Sequence, residues 1–399
     1  MGAASAHRRQ RLAVVFVLVV SLIAGVLHAY LWLRLVRSTT RRGSRARRIG
    51  TVAIVALMLL LFGTLIGTRM LPRTMGQILG WPGYLWLAAM FYLLVILLLL
   101  EIPALVARLV LRRRQNRAPS SGDALPDPGR RLFVARSVAL AAGLTAAGTV
   151  GYGTAIALGP PVRSRVSIRL AKLPRRRDGF RIAVFSDLHL GPTLGARHAE
   201  RVVEAINGFD ADVVAVIGDL VDGSIDDLRA SIEPLRGLHS RLGAYFVTGN
   251  HEYYSGYRDW IEYLPSLGLR PLRNQRVDLD GLAIAGVNDL SGEQHGDPPD
   301  YDQALSGHDP DVPVVLLAHQ PVQAHEAARR GVDLQLSGHT HDGQMWPFSL
   351  LVGLVQPVRA GLGTVDGMPV YVTRGAGFWG PPVRVGAPPD VTLIELRAP

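Results

Sequence analysis

The sequence predicts an α/β domain that follows a bundle of about four membrane-spanning helices. Two observations predict it. Residues 1–158 of the 399 hold long apolar runs, each near the roughly 20 residues a helix needs to cross a bilayer. From residue 180 onward, short apolar runs alternate with helical patterns. That alternation is the mark of largely parallel strands with helices packed outside them. A third observation points to chemistry: five of the short runs end in stretches rich in Asp, His and Asn.

Spans are expected near 12–36, 49–68, 84–111 and 132–158. The third contains Pro103 and Glu101, the only acid in the spans; the fourth is milder and rich in Ala and Gly. A Pro/Gly/Ser loop, Ala118–Gly129, separates them. Charge is divided unevenly. Residues 1–178 carry 27 Arg and Lys against 4 Asp and Glu, and the remainder carries 16 against 28. The net charge of +11 therefore does not describe a nucleic-acid binder, because the basic residues flank apolar segments. The stretch Arg34–Arg48 holds seven Arg, Arg69–Gly83 two, and Arg108–Arg136 eight. Arg-rich loops stay cytoplasmic, so four spans put the N-terminus and the C-terminal domain outside a plasma membrane. His7-Arg8-Arg9-Gln10-Arg11 conflicts mildly, being basic yet outside on this count. Arg130-Arg131-Leu132-Phe133 resembles a twin-arginine export signal, which would make the export machinery a partner. Ala155-Ile156-Ala157 offers a small-residue cleavage pattern; the paired Arg also serve as plain flanking charge.

The chain has no Cys, which excludes disulfides, thiolate zinc sites and cysteine nucleophiles. Its one Lys, Lys172, follows no Gly-rich loop, which excludes a phosphate-binding P-loop. Residues 159–178, rich in Pro and Arg, are expected to link the spans to a domain over 179–399. Within that domain, strands are expected near 181–186, 213–218, 244–249, 282–288, 314–318, 334–337, 369–374 and 391–396. Helices are expected near 195–207, 226–239, 256–267 and 321–330. The last two strands lack an intervening helix and are expected to add antiparallel.

Five motifs follow strands: Ser186-Asp187-Leu188-His189, Gly218-Asp219-Leu220-Val221-Asp222, Gly249-Asn250-His251-Glu252, Ala318-His319-Gln320-Pro321 and Gly338-His339-Thr340-His341. Ligands of open α/β sheets collect at these carboxyl ends. Asp187 and His189, two apart in an extended chain, point the same way. Oxygen and nitrogen donors without sulfur suit Mn, Fe or Zn better than Ca. Seven of them exceed one tetrahedral ion and suit two. Two ions clamp an in-line displacement at phosphorus, polarising a phosphoryl oxygen and supplying hydroxide near neutral pH.

In this order, the motifs resemble those of the calcineurin-like metallophosphoesterase superfamily, over about residues 180–397. The resemblance implies a four-layer αββα sandwich of two mixed sheets and a phosphoester substrate. It implies that Asp187, His189, Asp219 and His341 hold one metal ion. Asp219, shared, would hold the other with Asn250, His319 and His339. His251 would protonate the leaving oxygen, oriented by Asp222. The stretch GDLVDGS lacks the Arg found after the second Asp in protein Ser/Thr phosphatases. LSGHTHDGQMWPF looks instead like the YkuE-like branch of membrane-linked bacterial phosphodiesterases. There Gly commonly follows GHTH; here it is Asp342, expected to face solvent. Glu252 is read as structural and His295 as a solvated loop histidine.

The reading is a membrane-anchored phosphoesterase acting on a phosphodiester or a lipid-linked phosphate. The alternative is an inactive scaffold or sensor on the same fold, disfavoured because every expected ligand is present. Gly343–Val355 and Gly377–Pro382 are rich in apolar and aromatic residues. They admit two readings: packing into the core, or an apolar lip beside the metals.

Overall fold

The computed structural model describes residues 18–115 and 128–399. His7–Arg11, the expected start of the first span and most of the 118–129 loop lie outside the described residues. Two compact units divide the chain, one from residues up to 67 with 79–151, the other from 68–78 with 152–399.

Among the described residues, four helices are long and apolar enough to cross a membrane: Leu18–Arg37 (α1), Arg45–Met70 (α2), Arg73–Gln115 (α3) and Pro128–Leu158 (α4). At about 1.5 Å per residue, α2 and α3 each exceed the roughly 30 Å of a hydrocarbon core. Helix α3 departs from the expected third span. It begins at Arg73, inside the expected loop 69–83, and runs through Pro82. Pro82 withdraws a backbone donor from this helix; close by, the Thr64 hydroxyl of α2 donates to the Leu79 carbonyl at 2.9 Å. Gly83 permits that approach, since a Cβ there would lie 1.7 Å from Thr64 Oγ1. Glu101 pairs with Arg34 of α1, so its charge is not left alone among apolar side chains.

In the second unit the strands are, in chain order, β1 (Val162–Arg169), β2 (Phe180–Phe185), β3 (Val213–Ile217), β4 (Ala244–Val247), β5 (Leu269–Pro271) and β6 (Gln275–Asp278). Then come β7 (Ala283–Gly286), β8 (Val314–Leu317), β9 (Leu334–Ser337), β10 (Gly361–Val365), β11 (Met368–Val372) and β12 (Asp390–Arg397). They form two mixed six-stranded sheets, ordered β1-β12-β2-β3-β4-β5 and β10-β11-β9-β8-β7-β6. The central strands are apolar on both faces because each face is covered. Ile182, Val184, Ala215 and Ile217 meet Val315, Leu317 and Leu336 between the sheets. Ala183, Phe185, Val214 and Val216 face the other way, onto the helices Ala196–Asn207 (α5) and Ile225–Ile232 (α6). On the far side, Ala285, Leu316 and Val370 pack on Ala324 and Ala327 of the helix Ala324–Arg329. Helix, sheet, sheet and helix layers make the αββα sandwich that the motifs imply. Each buried Val, Leu or Phe contributes roughly 1.5–3 kcal/mol.

Two expectations change. Residues 159–178 are more than a linker: β1 lies among them and pairs in parallel with β12 along its length. Only Ile168 is buried in β1, so its Arg and Ser read as linker while its backbone closes a sheet edge. Strand β11 pairs in parallel with β9, because the helix Ser349–Val355 and β10 intervene and carry the chain back. Strand β12 is antiparallel to β2, as expected.

Candidate metal centre

Asp187, Asp219, His319 and His339 each stand two residues past a strand, after β2, β3, β8 and β9. Asn250 opens the short helix Asn250–Tyr254 (α7) beyond β4. The backbone turns hard there. Asp187, His189, Asp219, His339 and His341 have φ values of 53°, 47°, 55°, 70° and 50°, a left-handed region costly for residues with a Cβ and concentrated at functional sites. Gly338 lets two of these turns touch: a Cβ there would lie 2.2 Å from Ser186 Oγ and 2.3 Å from Asp187 Oδ2. Glu252 is structural in a specific way. Its carboxylate accepts from the backbone N–H of Asp219, Leu220 and Gly249 at 2.9, 2.7 and 2.7 Å, which locks two motif loops together. Burial and the Asp219 charge push this carboxyl up to about 7, while the three N–H donors pull the other way.

All seven expected donors come together, in two groups. In the first, His341 Nε2 lies 3.3 Å from Asp187 Oδ1 and 3.0 Å from His189 Nε2. In the second, His319 Nε2 lies 3.1 Å from Asp219 Oδ2, and His339 Nδ1 lies 3.0 Å from Asn250 Oδ1. Asp219 Oδ2 also stands 3.9 Å from His189 Nε2, so one carboxylate reaches both groups.

The donor chemistry fits cations. His319 Nδ1 donates to the Ile217 carbonyl at 2.8 Å, which leaves Nε2 as the basic nitrogen. That Nε2 is buried, faces the Asp219 carboxylate and makes no hydrogen bond. A lone pair against a carboxylate calls for a positive charge between them. The local field agrees: burial works against charge on His319, yet Asp219 outweighs it and pushes the imidazole well above its ordinary value. Burial and the neighbouring Arg384 guanidinium hold His341 well below its ordinary value, keeping it in the neutral form a metal requires.

Asp222 does more than the motifs imply. Its carboxylate accepts from His251 Nδ1 and also lies 3.2 Å from His189 Nδ1, so it serves the expected acid and an expected ligand together. Burial raises its carboxyl, but His189 and His251 more than offset that and hold it well below the usual carboxylate range. For His251, burial opposes charge while Asp222 and Asp219 favour it, and its imidazole is pushed up to about 9.

Asp342 corrects an expectation. It does not face solvent: it is buried, paired with Arg359 and lying 3.3 Å from Arg374. His295 is exposed, as expected, and rests against the Tyr253 ring. Arg384 has no signal in the sequence. Fully buried, it donates to the carbonyls of His341 and Arg374 at 3.0 and 2.9 Å and to His341 Nδ1 at 2.9 Å. It holds the turn after β11 against the last motif. A lone Arg in a Pro/Gly-rich stretch reads as surface; nothing local reveals that the fold closes over it.

The calcineurin-like phosphoesterase family matches residues 180–343, a span containing all seven donors. The Bacillus subtilis metallophosphoesterase YkuE is 33% identical over 278 residues, which is 65% of this chain and 94% of its own length. This chain belongs to the calcineurin-like metallophosphoesterase family. An Aquifex aeolicus metallophosphoesterase is 34% identical over 238 residues, 58% of this chain and 90% of its own. A transmembrane protein with metallophosphoesterase domain from Danio rerio is 39% identical over 262 residues, 62% of this chain. The match spans 60% of that relative's length.

Proposed function

We propose that this metallophosphoesterase is a membrane-anchored hydrolase holding two metal ions, Mn, Fe or Zn, and acting on a phosphodiester or lipid-linked phosphate. The observation that carries the reading is Asp219, whose Oδ2 reaches His319 at 3.1 Å and His189 at 3.9 Å from opposite groups. Asp187, His189 and His341 would hold one ion, Asn250, His319 and His339 the other, with Asp219 common to both. When bound, the ions would supply Lewis-acid polarisation of the phosphoryl oxygens and an activated water. The chain's own part is the proton. His251, positively charged and fixed by Asp222, stands ready to protonate the departing alkoxide. Full-length protein supplied with Mn should bind close to two ions per chain and hydrolyse a soluble phosphodiester. Turnover that survives complete chelation would overturn the reading.

We place the anchor at residues 1–158, with β1 already part of the catalytic domain. Ala157 is fully buried against Leu194 and Phe378, which favours α4 as a lasting anchor over a cleaved leader. The Arg distribution of seven, two and eight in successive loops supports a catalytic domain outside the cytoplasm. A phosphatase reporter active only outside, fused after Pro399, should be active, and a cytoplasm-only fluorescent reporter should stay dark. The opposite pattern would invert the topology.

A further inference from the structure

After the last motif comes a stretch with no charged residue between Gly343 and Val358. Its end, Val358, joins the core, but the large apolar side chains between Trp346 and Val355 do not. Trp346 is 54% exposed and Leu354 80%, and Phe348, Leu350, Leu351 and Val355 are exposed with them. In the helix Ser349–Val355, the pairs Leu350–Leu351 and Leu354–Val355 are one helical turn apart and share a face. Large contiguous apolar patches of this kind mark a surface that meets something other than water.

Two connections say what it meets. The Trp346 N–H donates to the Val385 carbonyl at 2.9 Å. Val385 and Val383 pack so closely on Gly153 that a Cβ there would lie 2.8 and 2.6 Å from their methyl groups. The Arg384 N–H also donates to the Gly153 carbonyl at 2.9 Å. Gly153 lies in the last two turns of α4, a helix apolar enough to cross a membrane. The exposed helix is thus tied, through one short segment, to the place where α4 ends. On the site side, Trp379 is 55% exposed, and its ring centroid lies 6.3 Å from that of His251. Exposed Trp suits the membrane interface.

We infer that Trp346–Val355, with Trp379, seats in the surface of the bilayer that α4 crosses, so that the metal centre takes amphiphilic phosphoesters whose tails stay in that bilayer. The inference rests on the hydrolase reading above for its substrate half only; the seating stands by itself.

The chain lacks Cys, so Leu354→Cys creates a single thiol at a highly exposed position. Full-length protein carrying an environment-sensitive fluorophore there would be placed in phosphatidylcholine–phosphatidylglycerol vesicles. Spin-labelled lipids should quench it several-fold more than the same fluorophore at Asp280→Cys, an exposed site outside the patch. Equal quenching at both sites overturns the seating. A blue-shifted but unquenched probe also overturns it, because a protein then covers the face. In the second arm, Leu351→Glu with Leu354→Glu is assayed in vesicles on methyl and hexadecyl p-nitrophenyl phosphate, which share a leaving group. The ratio of kcat/KM, hexadecyl over methyl, should fall at least about tenfold. An unchanged ratio overturns the substrate half. Absence of turnover on both esters by the unaltered protein counts instead against the hydrolase reading and leaves the quenching result standing.

Discussion

Asp219→Asn is expected to strip metal from both donor groups at once. The substitution keeps size and shape, and Asn Oδ1 can still accept the His251 backbone N–H that Asp219 Oδ1 now takes at 2.8 Å. It removes the charge that faces His319 and His189 together. Bound metal should fall from about two ions per chain to less than one. Turnover should drop by more than the roughly 10–100-fold that loss of an outer-sphere partner costs. The thermal stabilisation given by added Mn should fall with it, since an ion stabilises only what it binds. Metal analysis, melting with and without Mn, and turnover on one preparation test this. If His341→Asn and Asp219→Asn lost equal metal, one ion each, Asp219 would belong to a single group and the sharing would be wrong.

His251→Ala should behave differently. The ring is not among the donors of either group; it stands beside them, fastened to Asp222. Metal content should survive, while the rate on a substrate with an alkoxide leaving group falls roughly 10²–10⁴-fold, the usual span for general acid catalysis. With a nitrophenolate leaving group, which needs no proton, the loss should shrink. The pH profile adds a sign. Hydrogen bonding to Asp222 helps raise His251 to about 9, so Asp222→Asn lowers that value and moves the alkaline limb of the rate toward neutrality. Because Asp222 also lies 3.2 Å from His189, that variant should lose some metal as well, which His251→Ala should not. Equal losses on both leaving groups would remove His251 from the acid role.

What the sequence determined by itself is local. A buried parallel strand needs apolar residues on both faces, so VVAVI and its counterparts show as unbroken runs. A candidate metal donor then follows within two or three residues. That is why Asp187, Asp219, Asn250, His319 and His339 were legible by position, and why the alternation of strands and helices announced an α/β domain; the sandwich of two sheets came from the resemblance of the motifs. Length and apolarity alone marked the helices able to cross a membrane. What only the tertiary structure decided lies in contacts between distant residues. Asp342 is buried because Arg359 and Arg374 reach it. Asp222 serves two rings because β3 lies between β2 and β4. β1 is a strand because β12 returns from the far end of the chain to supply its hydrogen bonds. The apolar stretch from Trp346 to Val355 shows the limit most plainly. Its composition suits a core as well as a surface. The exposure of Trp346, Leu350, Leu351, Leu354 and Val355 decides between them, because hydrophobic residues carry no instruction in their own chemistry about which neighbour is to cover them.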